Sequence, residues 1–320
     1  MTEQNTNVEN TVETNEIEAT EVLQAISQVN GFVTYKFPSQ EVADSVKASL
    51  TEDVLLKHVF KLCGTFDAVK KGFVAFQGEG DNMLLQGASS TMFQVMTQKK
   101  VPHPALVKKN CKIAEAKYKV DNAIEKLDSD TKKIIKMEVV EALIPTTTAN
   151  EPESVLLWLT GDMLIVGTST YKKAEDYIDM VRFAVDTCPV QSLEFETEVQ
   201  DTLTKLLSTQ YCENIVMMDL VHLEHPTEKG IVKFEKASLY DIECKKHLQE
   251  DCVVNKIQLS NEERCTFTLN KDFECSGVKI AKDVLSGTKD LGALIITVDE
   301  INGTVKELVE VFGGEVNEEA

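Results

Sequence analysis

A histidine pair and a cysteine–histidine pair, a few neighbouring carboxylates and a run of lysines are the residues of this sequence whose types could do chemistry. His222-x-x-His225 is followed by Cys244-x-x-His247. Imidazole and thiolate are the ligand types that zinc takes, but structural zinc sites show tighter paired knuckles. Here Pro226 follows one pair and a strand-like run separates the two. Surface histidines and a buried cysteine are the reading adopted, with no metal site assigned. Asp162, Glu175, Asp176 and Asp179 have the chemistry to hold divalent ions for phosphodiester cleavage. In a chain with 53 acidic residues such neighbours arise by chance, and the last three fit the wet face of an amphipathic helix. Gly78-Glu79-Gly80 lacks the Gly-Lys-Ser/Thr of a phosphate loop, and its acid repels phosphate. No G-x-S-x-G elbow occurs. No catalytic residue and no cofactor is therefore assigned, and the chain is not read as an enzyme.

The lysines remain. The chain has 320 residues and a formal net charge of −20, a poor start for binding phosphates. Residues 99–136 nevertheless hold eleven Lys against five acids, so this stretch is +6 and the rest of the chain is −26. Charge asymmetry of this kind marks candidate nucleic-acid surfaces better than the total does. Lys99, Lys100, Lys108, Lys109, Lys112, Lys117, Lys119, Lys132, Lys133 and Lys136 are the candidate DNA-binding residues. Helix-borne lysines three to five residues apart contact phosphates without reading bases. Tyr118 is the only aromatic residue in the stretch, which argues against base stacking there. A merely solvated helix face explains the same pattern as well.

Those lysines need helices to carry them. Pro102 and Pro104 suit the first turn of a helix. Leu106, Ile113, Val120 and Leu127 then recur every seven residues, giving an apolar stripe beside a broad lysine face. Asp128–Asp130 reads as a turn and cap. A second helix over Thr131–Leu143 completes a hairpin and stops at Pro145 and Thr146–Thr148. Upstream, Phe32–Phe37 is strand-like, Ser39 caps a helix over Glu41–Leu50, and Val59–Leu62, Phe73–Phe76, Met83–Leu85 and Thr91–Met96 read as strands between glycines. Downstream, Ser154–Leu159 and Met163–Gly167 flank a Thr160-Gly161-Asp162 turn. Ser169 caps an amphipathic helix, Val190–Phe195 is strand-like, and a helix follows over Glu198–Leu207. The C-terminal part shows strands at Ile215–Leu220, Gly230–Lys236, Val253–Leu259, Arg264–Leu269, Val278–Ala281 and Leu294–Val298, then a helix over Glu300–Phe312 with a glycine stop.

Strands and helices do not alternate regularly, so the expected class is α+β with mixed or antiparallel sheets around a central lysine-rich helical hairpin. Four regions are expected: an acidic disordered extension at 1–28, which has six Glu and no Lys or Arg, with a short helix over Ile17–Ile26 at its end; an N-terminal α+β region at 29–98; the helical hairpin with a β-hairpin and helix at 99–189; and a C-terminal α+β region at 190–320. No apolar run reaches the roughly 18–20 residues of a membrane span, and no signal-peptide core is present. Eight scattered cysteines without a CxxC pair read as reduced thiols. A cytoplasmic location with no membrane partner follows.

The runs VPHPALVKKNCKIAEAKYK (101–119), EALIP (141–145) and SVLLWLTGDMLIVGTSTYKKAEDYIDMVR (154–182) resemble the RdgC family of recombination-associated proteins. VVNKIQLSNEERCTFTL (253–269), LVEVFGGE (308–315) and GFVTYKF (31–37) are similar as well, in the same order. The resemblance implies a ring-shaped homodimer that encircles double-stranded DNA with little sequence preference. It also implies modulation of homologous recombination by limiting access of a RecA-type recombinase, a further partner, and a nucleoid-associated location. An acidic exterior is compatible with a hole lined by basic side chains. Members typically carry a basic and aromatic segment at a subunit contact after the second helix, where this chain has Thr146-Thr147-Thr148-Ala149-Asn150-Glu151. Two rival expectations are an interaction module that docks the recombination machinery directly, without DNA, and a metal-dependent nuclease.

Overall fold

A computed structural model of the chain describes residues 24–25, 27–209, 214–236, 239 and 242–313. In chain order the elements are β1 (Gln24–Ala25), β2 (Gly31–Lys36), α1 (Gln40–Ser49), α2 (Glu52–Lys57), β3 (Val69–Phe76), β4 (Leu84–Gln86) and β5 (Ser90–Lys99). The helices α3 (Pro104–Asp121) and α4 (Ser129–Leu143) follow, then β6 (Glu153–Thr160), β7 (Met163–Val166), α5 (Tyr171–Val185), β8 (Gln191–Ser192) and α6 (Val199–Thr209). The chain finishes with β9 (Ile215–Glu224), β10 (Ile231–Glu235), α7 (Ile242–Gln249), β11 (Val253–Asn261), β12 (Cys265–Asn270), β13 (Cys275–Ile280) and α8 (Asp290–Val311).

The strands join in one mixed sheet in the order β1-β3-β5-β6-β7-β2-β13-β12-β11-β9-β10, with β4 beside β5 and β8 beside β2. The β1–β3 pair is parallel and the other strand pairs are antiparallel. This is an α+β protein. Strands β5, β6 and β7 are buried on both faces, and the two-residue period of a strand divides their side chains between two cores. Leu156 and Trp158 face one, with Leu203 and Leu207 of α6 and Leu294, Val298, Ile301, Val305 and Leu308 of α8. Leu157 and Leu159 face the other, with Ala43 and Val46 of α1 and Ala174, Ile178 and Val181 of α5. Trp158 donates its indole N–H to Asn302 Oδ1 (2.9 Å), and Asn302 Nδ2 donates to Ser90 Oγ (2.8 Å). That buried chain ties α8 to β5 and β6.

Several local expectations change. Leu294–Val298 is helix, not strand, and belongs to α8. Leu294, Val298, Ile301, Val305 and Leu308 are spaced four and three apart, which places them on one buried helical stripe. Val59–Leu62 is not a strand either; only Val59 makes an isolated parallel bridge, to Phe73. A Cβ on Gly72 would stand 2.4 Å from the Phe60 Cα, so only glycine lets this segment lie against β3. Val190–Phe195 contracts to the two residues of β8. The cap of α5 is Thr170, whose side chain accepts from the Lys173 N–H, in place of Ser169. The short helices α2 and α7 carry no strong amphipathic period and are additional. Residues 1–23, and with them most of the expected Ile17–Ile26 helix, lie outside the described residues, while Gln24–Ala25 is strand. No helix among the described residues is long and apolar enough to cross a membrane.

Candidate nucleic-acid interface

The stretch 99–150 leaves the sheet at the end of β5 and returns at its own root. Asn150 N–H donates to the Lys99 carbonyl (2.9 Å) and Gln98 Nε2 donates to the Asn150 carbonyl (2.9 Å), closing the excursion. Between them α3 begins with Pro104 at its first turn and α4 begins at Asp128, whose carboxylate accepts from the Asp130 and Thr131 N–H groups. Those bonds, led by the one from Thr131, hold the Asp128 carboxyl below its ordinary range. At the far end of α4 the hydroxyls of Thr146 and Thr147 both donate to the Leu143 carbonyl (3.0 and 2.8 Å). Thr146 and Thr147 thus close off a helix end.

Helices α3 and α4 pack on each other, but not along the seven-residue stripe. Leu106 (43%), Ile113 (59%) and Val120 (80%) are exposed, and of that line only Leu127 is buried. α3 stops at Asp121, where Asn122 caps it and Ala123 turns the chain with φ +53. Val107, Cys111 and Ala114 form the half-buried side instead, and the small side chains of Cys111 and Ala114 admit a close neighbour. Ile134 and Met137 of α4 are exposed too. The hairpin therefore presents both cations and apolar side chains to solvent.

Lys108, Lys109, Lys112 and Lys117 are exposed on α3, Lys119 is half-buried there, and Lys132, Lys133 and Lys136 are exposed on α4. By helical spacing Lys108, Lys112 and Lys119 share one face, while Lys109 and Lys117 flank the exposed Leu106–Ile113–Val120 line. Lys133 reaches Asp130 at 2.9 Å, but both are highly exposed, and such pairs contribute little. Lys99 lies 3.5 Å from Asp176, which Lys71 also approaches at 3.4 Å. Partial burial opposes ionisation of Asp176, and the two ammonium groups outweigh it, leaving its pKa lowered.

Lys100 does not belong with these residues. It is buried, and its ammonium donates to the carbonyls of Gly64 (2.7 Å) and Thr65 (3.0 Å). The strand period turns it away from the face of Lys99 into the loop before β3, so it clamps that loop instead of facing solvent. Conversely, Lys70 and Lys71 lie at the hairpin root, because Val69–Val74 of β3 pairs with Gln94–Lys99 of β5, and the exposed Lys57 and Lys61 precede them in the chain. Residues 57–71 hold four Lys and one acid, a second positive stretch that the strand-by-strand reading passed over.

The other constellations resolve into local pairs. Arg182 Nη1 lies 3.0 Å from both Glu175 and Asp179, and Asp162 lies 3.8 Å from Lys36. The carboxylates are thus spread among four cationic partners, Arg182, Lys36, Lys71 and Lys99, and share no common centre. His222 meets Glu235 at 3.4 Å, and His247 meets Glu250 at 3.3 Å. The Nδ1 of His225 accepts from the Glu228 N–H (3.2 Å). The Cys244 side chain lies outside the described residues. Among the described residues no group of three or more His, Cys, Asp or Glu side chains could hold a metal ion.

Residues 31–315 match the family described as "Putative exonuclease, RdgC". The chain is 24% identical over 294 residues to the recombination-associated protein RdgC of Yersinia enterocolitica serotype O:8 / biotype 1B, covering 87% of this chain and 95% of that protein. The protein of the same name from Enterobacter sp. (strain 638) is 25% identical over 295 residues, with the same coverage. An α+β chain whose positive charge sits on a projecting helical pair is thus similar, over almost its whole length, to proteins named for recombination. The chain belongs to the RdgC family.

Proposed function

We propose that this chain binds double-stranded DNA without sequence preference as a ring-shaped homodimer, and modulates homologous recombination by limiting the access of a RecA-type recombinase to DNA. The observation that carries the reading is the separation of charge. In a chain of net charge −20, seven lysines of α3 and α4 stand exposed on one projecting hairpin. Lysines without arginine, and with Tyr118 as the one aromatic residue of the stretch, contact phosphates and not base edges, which accords with sequence-independent binding. The exposed line of Leu106, Ile113 and Val120, with Ile134 and Met137, supplies apolar surface of the kind a second copy covers. The reading assigns no catalytic step: the carboxylates that a nuclease would need are held by Arg182, Lys71, Lys99 and Lys36.

The experiment pairs sedimentation with DNA binding at low salt. A dimer that binds unrelated duplexes equally well, and releases covalently closed circles more slowly than linear DNA of the same length, supports the ring reading. Equal release from both forms contradicts encirclement. A monomer that pulls down recombinase after nuclease treatment, and binds no duplex, overturns the reading in favour of direct protein docking.

A further inference from the structure

The corner where the loop 61–68 meets the hairpin root carries an aromatic side chain that the lysine reading leaves unused. Phe66 is 83% exposed and Leu62 in the same loop is 59% exposed. Single apolar side chains on a surface are ordinary. This one sits in a turn tied to its neighbours by several hydrogen bonds. The Gly64 N–H donates to Asp67 Oδ2 (2.9 Å), and the Cys63 N–H donates to Gln98 Oε1 (2.8 Å). Lys100 Nζ donates to the carbonyls on either side of the Gly64–Thr65 peptide, and its backbone N–H donates to the Ala68 carbonyl (2.8 Å). Asp67 is ion-paired with Lys70 at 3.1 Å, and the Gly64 and Lys70 contacts hold its carboxyl below the ordinary range. Ordering a loop costs entropy that burial normally offsets, yet this loop orders itself and leaves its two largest apolar side chains in water.

The surroundings say what would meet that ring. Lys57 and Lys61 are exposed and have no ion-pair partner among the described residues, and Lys70 reaches the loop at Asp67, while Lys71 and Lys99 point to the other face, toward Asp176. Asp67 is the only acid in residues 57–71. A stiff apolar tip set among cations is the arrangement by which a protein inserts a wedge at a base step while lysines hold the flanking phosphates. We propose that Phe66 is a DNA-contacting wedge, its ring entering a base step of the duplex that the hairpin lysines hold. The proposal rests on the DNA-binding reading above and adds a DNA-structure preference to it. Insertion is easiest where stacking is already weak, so a bulged duplex binds more tightly than an intact one.

The test uses the full chain with Phe66→Ala and Phe66→Trp. Stacking is sequence-tolerant and uncharged, so Phe66→Ala weakens binding to a bulged 30-bp duplex by about five- to thirtyfold. It also abolishes the preference for the bulge and leaves the slope of log affinity against log salt unchanged. Trp158 is the sole native tryptophan and is buried, so emission from Phe66→Trp reports the site, and DNA quenches it. Wild-type binding with a steep salt slope, together with unaltered affinity in Phe66→Ala and unquenched emission in Phe66→Trp, overturns the wedge but leaves the lysine reading standing. Quenching by polyglutamate and not by DNA assigns the corner to acidic proteins and overturns it as well. Absence of any duplex binding by the wild type removes the DNA reading and the wedge with it.

Discussion

Lys100→Met separates a lysine that braces a loop from one proposed to touch DNA. Methionine keeps the unbranched apolar stem, which packs in the same space, and removes only the ammonium. Two hydrogen bonds are lost, to the carbonyls of Gly64 and Thr65. Bonds from charged donors are worth about 1.5–3 kcal/mol each, but water reaches this exposed loop and replaces part of that, and removing a buried charge recovers some desolvation cost. A net loss of about 2 kcal/mol results. In domains of 150–250 residues each 1 kcal/mol moves Tm by about 2–4 °C, so melting falls by about 4–8 °C. Lys108→Met, exposed on α3, leaves melting within about 0.5 kcal/mol of wild type but flattens the salt slope of DNA binding by about 0.9. Calorimetry and a salt-titrated anisotropy assay read both quantities on both variants. If Lys100→Met melts like wild type and flattens the salt slope by about 0.9, Lys100 faces phosphate and the clamp assigned to it is wrong.

Thiol labelling of the native protein followed by peptide mapping should modify the half-buried Cys63 and Cys111 and spare Cys188, Cys265 and Cys275. Burial pushes the thiols of Cys188 and Cys265 up to about 11 and that of Cys275 well above its ordinary value, and the thiolate is the reacting form. Asn302→Leu orphans the buried Trp158 N–H and Ser90 hydroxyl, at about 1–3 kcal/mol for each unpaired group. Its urea midpoint should fall with a red shift in the emission of the single tryptophan, and an unchanged midpoint would show that the chain of bonds contributes nothing. Asp176 has its pKa lowered in the folded chain by Lys71 and Lys99 against the cost of partial burial. Its contribution to stability is thus complete above the unfolded value of about 3.9 and disappears as pH falls through the lower folded value. Asp176→Asn should be less stable than wild type at neutral pH, and the two should converge in acid; a constant gap across that window would count against the pairing.

The strands of the central sheet were legible because β-branched, aromatic and aliphatic runs ended at glycines and turns, as at Thr160-Gly161-Asp162, where Gly161 takes φ +55. The starts of α3 and α4 were legible from Pro104 and Asp128, but the end of α3 at Asp121 was not, since the stripe read from the sequence ran on to Leu127. What could not be read was which side of a helix finds a partner. The seven-residue line of Leu106, Ile113 and Val120 satisfies the pattern of a buried stripe, yet the half-buried side of α3 is that of Val107, Cys111 and Ala114, since the partner's position is a tertiary fact. Leu294–Val298 misled for a related reason: five residues of apolar character fit strand or helix alike, and only the longer spacing through Leu308 decides it. Charge was legible as a sum but not as a direction. Lys99 and Lys100 are adjacent, and the strand's alternation sends one to solvent and the other into the Gly64–Thr65 turn. Lys70 and Lys71 were hidden by the opposite effect, lying on a strand that only the register of β3 on β5 brings to the hairpin root.

The central claim is that the hairpin lysines hold duplex DNA by its phosphates. Its most direct test is the salt dependence of binding to a mixed-sequence 30-bp duplex, for the wild type and for Lys108→Glu, Lys109→Glu and Lys112→Glu combined. With about six phosphates neutralised, log affinity should fall with log salt at a slope of about −5. The triple variant, folded and dimeric by sedimentation, should bind with a slope flatter by about 3 and much more weakly at every salt concentration. A wild-type slope near zero, or a triple variant that binds as the wild type does, would contradict the account.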